Sequence, residues 1–161
     1  MNANLAAVTD EAPSTPASPG SVSRRLPTSR QLRQTLPVGD ELGARITAQR
    51  QAVRDILNGD DDRLLIVTGP CSLHDPEAAL EYGQRLAALA DRVSDRALLV
   101  MRAYVEKPRT TVGWKGLLYD PHLDGRQDLA EGLRVCRQLL RDLAGSGLPP
   151  VSYTHPPLPH N

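Results

Sequence analysis

An α/β fold built on a parallel sheet is predicted by three features of the chain. Two short apolar runs, Arg63-Leu-Leu-Ile-Val-Thr68 and Ala97 to Val105, have the near-continuous hydrophobicity of strands buried on both faces. Stretches with helical apolar spacing precede, separate and follow them. Strands alternating with amphipathic helices make βαβ units, and right-handed crossovers set the two strands side by side.

The elements follow in order. Residues 1–36 read as a leader and an N-terminal arm. The leader, with Glu11-Ala-Pro-Ser-Thr-Pro-Ala-Ser-Pro-Gly-Ser-Val22 at its centre, has almost nothing to bury and is expected to be disordered to about Ser23. The arm, Arg24 to Pro37, sets Leu26, Leu32 and Leu36 among arginines; a docking arm and a plain linker both fit. From Asp40, a plausible N-cap, the residues Leu42, Ile46, Val53 and Leu57 keep helical spacing up to Gly59. After the first strand, Asp75-Pro76 pairs an N-cap with proline at the first helical position. That helix carries Ala79, Tyr82, Leu86, Ala90 and Val93 on one face. A polar connection from Pro108 to about Gln127 follows the second strand, and Leu129, Leu133, Cys136, Leu140 and Leu143 mark the next helix, closed by Gly145 and Gly147. Gly147-Leu-Pro-Pro150 has the form of an approach to a third strand, but the proline-rich stretch Val151 to Asn161 does not read as one. The expected domain is 37–150, with two strands.

Totals narrow the function. Lys plus Arg equals Asp plus Glu at 19 each, aromatics are 3% and there is no phenylalanine. A broad basic surface for nucleic acid and a base-stacking platform are both excluded. No apolar run approaches a membrane span. The first ten residues lack the basic and apolar regions of a secretory signal, and the two cysteines read as reduced thiols of a cytoplasmic protein.

Functional residues of parallel α/β folds sit at the carboxyl ends of the strands. The first such end is Gly69-Pro-Cys-Ser-Leu-His-Asp-Pro76. Cys71 has two open readings there, a thiolate that ligates a metal or attacks an electrophile, and a small buried hydrophobe. Cys136, on the apolar stripe of a helix, reads as core. His74 is either a ligand or proton carrier or a turn residue, and Asp75 is explained as a cap. The second end is Met101-Arg-Ala-Tyr-Val-Glu-Lys-Pro-Arg-Thr-Thr-Val-Gly-Trp-Lys-Gly116. Arg102 lies in a buried strand and needs an anion, either a carboxylate such as Glu106 or a carboxylate or phosphate of a substrate. Lys107, Arg109 and Lys115 follow in one loop with the hydroxyls of Thr110 and Thr111. Lys107 and Lys115 are the chain's only lysines, every other cation being arginine. That choice favours a compact, proton-donating ammonium at Lys107; for Lys115 a solvated loop cation fits as well. Trp114 reads as packing on a hydrophobic patch.

The turn from Gly69 to Pro76, with Met101-Arg102, Glu106-Lys-Pro-Arg-Thr-Thr-Val-Gly-Trp-Lys-Gly-Leu117 and Asp120-Pro121, resembles the class I 3-deoxy-D-arabino-heptulosonate 7-phosphate (DAHP) synthases, alpha subgroup. The resemblance runs from about Arg25 to Pro150. It implies the N-terminal part of a (β/α)8 TIM barrel, about two βα units after a helix, in an enzyme that joins phosphoenolpyruvate to erythrose 4-phosphate and releases phosphate. It also implies a homo-oligomer inhibited by an aromatic amino acid. By the same resemblance Cys71 is a ligand of a divalent metal ion such as Mn2+ or Fe2+. Arg102 and Lys107 lie at the phosphoenolpyruvate and are the catalytic candidates. Arg109 and Thr110 hold the aldose phosphate, and Lys115 belongs to the same substrate-binding set. The 3-deoxy-octulosonate 8-phosphate synthases share the Gly-Pro-Cys turn but differ in the loop. A non-catalytic module that binds phosphorylated ligands is the alternative from another class. The chain departs from the pattern in length, since a barrel of this kind takes about 250 residues. The expectation is therefore a fragment inactive alone, with 151–161 resembling a translated sequencing adapter outside the fold.

Overall fold

The structure, a computed structural model, describes residues 25–107 and 113–152. The expected disordered leader and most of the expected non-native tail lie outside them. The arm is not a plain linker: it forms helix α1, Ser29–Thr35. A capping box starts it, with Thr28 Oγ1 accepting from the Gln31 amide at 3.2 Å and the Thr28 amide donating to Gln31 Oε1 at 2.8 Å. The arm is tied down where the Arg137 guanidinium donates to the Leu36 carbonyl at 3.0 Å.

Helix α2 spans Asp40–Asn58. Its N-cap is Gly39 rather than Asp40; Asp40 and Glu41 occupy the first turn, where their charge complements the helix dipole. Gly59 closes the helix at φ 82°, a left-handed conformation glycine adopts without Cβ strain. Helix α3 spans Pro76–Arg92 and α4 Leu129–Gly145, each with an aspartate N-cap, Asp75 and Asp128. Among the described residues no helix is long and apolar enough to cross a membrane.

Three parallel strands form the sheet in the order β1-β2-β3: Leu64–Thr68, Ala97–Arg102 and Pro150–Val151. The register runs from Leu64 opposite Ala97 to Thr68 opposite Met101, then Met101 opposite Pro150 and Arg102 opposite Val151. The expectation of two strands is thus corrected: a third begins at Pro150 and takes in Val151. Proline is tolerated because the ladder does not use its nitrogen. The Met101 amide donates to the Pro149 carbonyl at 2.9 Å and the Ala103 amide to the Val151 carbonyl at 2.8 Å. Regular strand geometry in β2 stops at Arg102, short of the expected Val105.

The core lies on one face of β2. Ala97, Leu99, Met101 and Ala103 alternate toward α3 and α4 and join Leu86, Cys136, Leu139 and Leu143 in one buried cluster. Gly83, not the expected Tyr82, faces this contact. A Cβ on Gly83 would stand 2.7 Å from Leu143 Cδ2, while Tyr82 turns outward. The two strands also differ. β2 is buried, as expected, but β1 leaves Leu64 66%, Ile66 40% and Val67 54% exposed. Among the described residues β1 pairs only with β2, so its apolar run is half uncovered.

Candidate active site at the carboxyl ends of the strands

The parallel register brings the ends of β1 and β2 together, and with them the two segments singled out in the sequence. Their backbones approach closely at Gly69. Its φ of 151° and the short distances from a hypothetical Cβ to the Arg102 carbonyl oxygen (2.7 Å) and nitrogen (3.0 Å) leave room only for glycine. Beyond Gly69 the chain turns over the end of β2. The Leu73 amide donates to the Tyr104 carbonyl at 2.7 Å, and the Leu73 side chain, 2% exposed, enters the core. Cys71 lies between these fixed points with its side chain exposed. The small-buried-hydrophobe reading of Cys71 is thereby set aside, and Cys136 shows the contrast. Burial, with a smaller contribution from the Glu106 charge, pushes the Cys136 thiol up to about 12. Asp75 caps α3, accepting from the amides of Glu77 (2.9 Å) and Ala78 (3.2 Å). His74 is exposed and meets the Trp114 ring edge-on at 6.5 Å.

Arg102 does not use Glu106 as its partner. Its Nε donates to the Pro70 carbonyl at 2.9 Å and its Nη2 to the Gly69 carbonyl at 3.1 Å, with the guanidinium 5.3 Å from the Tyr104 ring centroid. Sequence could not show this, because backbone carbonyls carry no residue-type signal. Lys107, half-buried, begins the loop. Its amide donates to the Lys115 carbonyl at 2.8 Å, and the Leu118 amide donates to the Val105 carbonyl at 3.0 Å, so the loop closes at its neck. Gly116, at φ 117°, sits under that neck, where a Cβ would press on the Val105 carbonyl and the Glu106 Cα. Trp114 packs against the core cluster and donates from Nε1 to the Asp120 carbonyl at 3.0 Å. Lys115 is exposed. Arg109 and Thr110 lie outside the described residues. The structure therefore gathers Cys71, Arg102, Lys107 and the loop neck at one end of the sheet. A separate cavity of about 950 Å³ between α2 and α4, lined by Ile46, Val53, Leu133 and Leu140 among others, reaches Val105 and Leu118 at the back of the neck but includes none of Cys71, Arg102 and Lys107.

Cys71 alone does not make a metal centre. Among the described residues no group of three or more His, Cys, Asp or Glu side chains is placed to hold an ion. What the end of the sheet does offer is a cationic, hydrogen-bonding rim suited to oxyanions, beside an accessible thiol.

The sequence profile of the DAHP synthetase I family matches residues 37–155, through the whole of this arrangement. The chain belongs to the DAHP synthetase I family. It is 54% identical over 124 residues to "Phospho-2-dehydro-3-deoxyheptonate aldolase, Tyr-sensitive" of Escherichia coli K12, a match covering 77% of this chain and 35% of that protein. It is 57% identical over 113 residues to the Trp-sensitive aldolase of that name from Enterobacter agglomerans, covering 70% of this chain and 32% of the relative. Among solved structures, phospho-2-dehydro-3-deoxyheptonate aldolase from Francisella tularensis SCHU S4 superposes with a TM-score of 0.77 at 39% identity. That superposition covers 82% of this chain and 39% of the neighbour. The chain thus spans about a third of the length of these family members.

Proposed function

We propose that this chain supplies the first βα units of a (β/α)8 barrel that condenses phosphoenolpyruvate with D-erythrose 4-phosphate and one water to DAHP and phosphate, the first step of the shikimate pathway. The observation that carries the reading is the pairing of β1 and β2, which sets the Gly69–Asp75 turn beside the segment Arg102–Lys107. These are the positions of two family motifs, and the family match spans both. A further strand beside β1 would cover Leu64, Ile66 and Val67, the apolar side chains this sheet leaves exposed.

In this reading the residues divide the work by chemistry. Arg102 and Lys107 face phosphoenolpyruvate, where a guanidinium suits a planar carboxylate and an ammonium a compact charge. Arg109 and Thr110 hold the phosphate of the aldose, and Lys115 adds positive charge at the loop neck. Carbon–carbon bond formation turns the aldehyde oxygen into an alkoxide, and Lys107 is the group suited to donate a proton there. Cys71 contributes one thiolate ligand to a divalent ion, Mn2+ or Fe2+, whose other ligands come from outside the described residues. The reading also includes a homo-oligomer in the cytoplasm, inhibited by an aromatic amino acid; relatives named Tyr-sensitive and Trp-sensitive support the regulation.

A chimera tests it. Residues 37–152 replace the matching segment of the Tyr-sensitive Escherichia coli relative, and the product is assayed for phosphate release with both substrates. Activity is expected, with a loss of kcat of about a hundred-fold or more in Lys107→Arg, since the planar fork keeps the charge but is a poor proton donor. A folded chimera without activity would return the chain to the ligand-binding alternative, and full activity in Lys107→Arg would reduce Lys107 to a generic cation.

A further inference from the structure

The Gly69–Leu73 turn is tied from both sides of Cys71, to Arg102 at the end of β2 and to Tyr104 just beyond it. On the N-terminal side, Arg102 donates to the Gly69 and Pro70 carbonyls at 3.1 and 2.9 Å, and the backbone of Arg102 lies against Gly69 with no space for a Cβ. On the C-terminal side, the Leu73 amide donates to the Tyr104 carbonyl at 2.7 Å while the Leu73 side chain is sunk in the core. Only Cys71 and Ser72 lie between these ties. The Arg102 side chain is in turn set by its own place in β2, at the residue paired with Val151, and by the Tyr104 ring at 5.3 Å.

From this arrangement we infer that Arg102 is a positioning residue for Cys71: its guanidinium fixes the turn that presents the thiol. The two carbonyl bonds use two of the five guanidinium N–H groups. An oxyanion held on the remainder meets a group already bonded to the turn. Occupancy of the anion site on β2 therefore stiffens the turn on β1, and the thiol and the anion subsite behave as one coupled unit. Nothing in this coupling requires a metal or turnover. It deepens the proposed function, because the anion is the kind of group the two substrates carry, but the tie between Arg102 and the turn stands apart from that reading.

The test uses the full 161-residue chain and amide hydrogen exchange, read on peptides covering Cys71 to Leu73 and, as internal reference, peptides from β2 and α4. In Arg102→Gln, which keeps one donor group but loses the charge and the fork, exchange at Cys71–Leu73 is expected to quicken about ten-fold or more while the reference peptides hold. In Arg102→Lys, which retains the charge and can reach one carbonyl, an intermediate effect is expected. Added inorganic phosphate should slow exchange at Cys71–Leu73 in the wild type and fail to do so in Arg102→Gln. Equal acceleration in turn and reference peptides would make Arg102 a general stabilising residue and overturn the inference, as would an unchanged turn. Because no catalysis is measured, an inactive chimera with a locally loosened turn would sink the proposed function and leave this inference standing.

Discussion

β1 and β2 are written in nearly the same alphabet, Leu-Leu-Ile-Val-Thr and Ala-Leu-Leu-Val-Met-Arg, yet they end in opposite environments. β2 has a strand on each side and α3 and α4 over one face, and Met101 and Ala103 are wholly inaccessible. Among the described residues β1 has one strand beside it and leaves three large aliphatic side chains in contact with solvent. An apolar run states what a strand needs covered; neighbours decide whether it is covered. The same contrast separates the two cysteines, one at an open strand end and one on the buried face of α4.

The packed side of this comparison is broken hardest at Gly132. A Cβ there would collide with the Leu118 carbonyl oxygen and come within 2.6 Å of its carbon, a backbone group that cannot swing aside. Gly132→Ala is expected to cost about 3 kcal/mol or more in denaturant unfolding, at the upper end of overpacking effects. A change near zero would show that α4 can move off the 116–118 segment freely. Leu143, 1% exposed between Gly83 and the cluster, comes next. Leu143→Ala should cost about 2–5 kcal/mol by loss of transfer energy and an unfilled cavity.

Cys136 sharpens the contrast by pH. Its folded value, about 12, stands above the ordinary 9.0. The unfolded chain therefore loses this proton first, and the stability that buried neutral thiol contributes is complete below about pH 9 and disappears as pH rises through 12. The difference in melting temperature between wild type and Cys136→Ala should accordingly shrink across that window. A constant difference would place Cys136 in water. In a thiol-labelling time course at neutral pH, Cys71 should react at once and Cys136 only as fast as the chain opens. The smallest effect belongs to the open side: Leu64→Thr should change stability by no more than about 0.5 kcal/mol. A loss as large as that of Leu143→Ala would mean that β1 is covered in solution.

Much of this was legible in the chain. Helix, strand, helix, strand, helix follow from apolar periodicity, and Asp75-Pro76 gives the start of α3 to the residue. The strand-end position of Cys71 and Arg102 follows from the same alternation. Other features were not, for physical reasons. Gly147-Leu-Pro-Pro150 reads as an approach to a strand, but the proline-rich stretch after it argues against one, and only the ladder shows that Pro150 and Val151 pair with β2 without the missing N–H. Thr28 and Gln31 carried a capping-box signature that could have announced α1, but the surrounding arginines masked it. Glycines such as Gly83 and Gly132 look like weaknesses in a helix until the element they press against is known. The partners of Arg102 are carbonyls of a turn formed more than thirty residues earlier, and no residue type encodes them.

Helix α2 carries one further implication, about order in time. Its links to the far end of the described chain are Arg45 to the Gly145 carbonyl and Gln49 to the Gly147 carbonyl, both 2.8 Å, at sequence separations of 100 and 98. Such contacts close loops of about a hundred residues, as the Arg137–Leu36 bond of the arm also does, and their entropy is repaid only after the elements between have formed. The β1–β2 register, at a separation of about thirty residues, has far less chain to close. In pulse-labelled refolding, α2 should therefore gain protection after β2, α3 and α4, as the clasp rather than the seed of the fold.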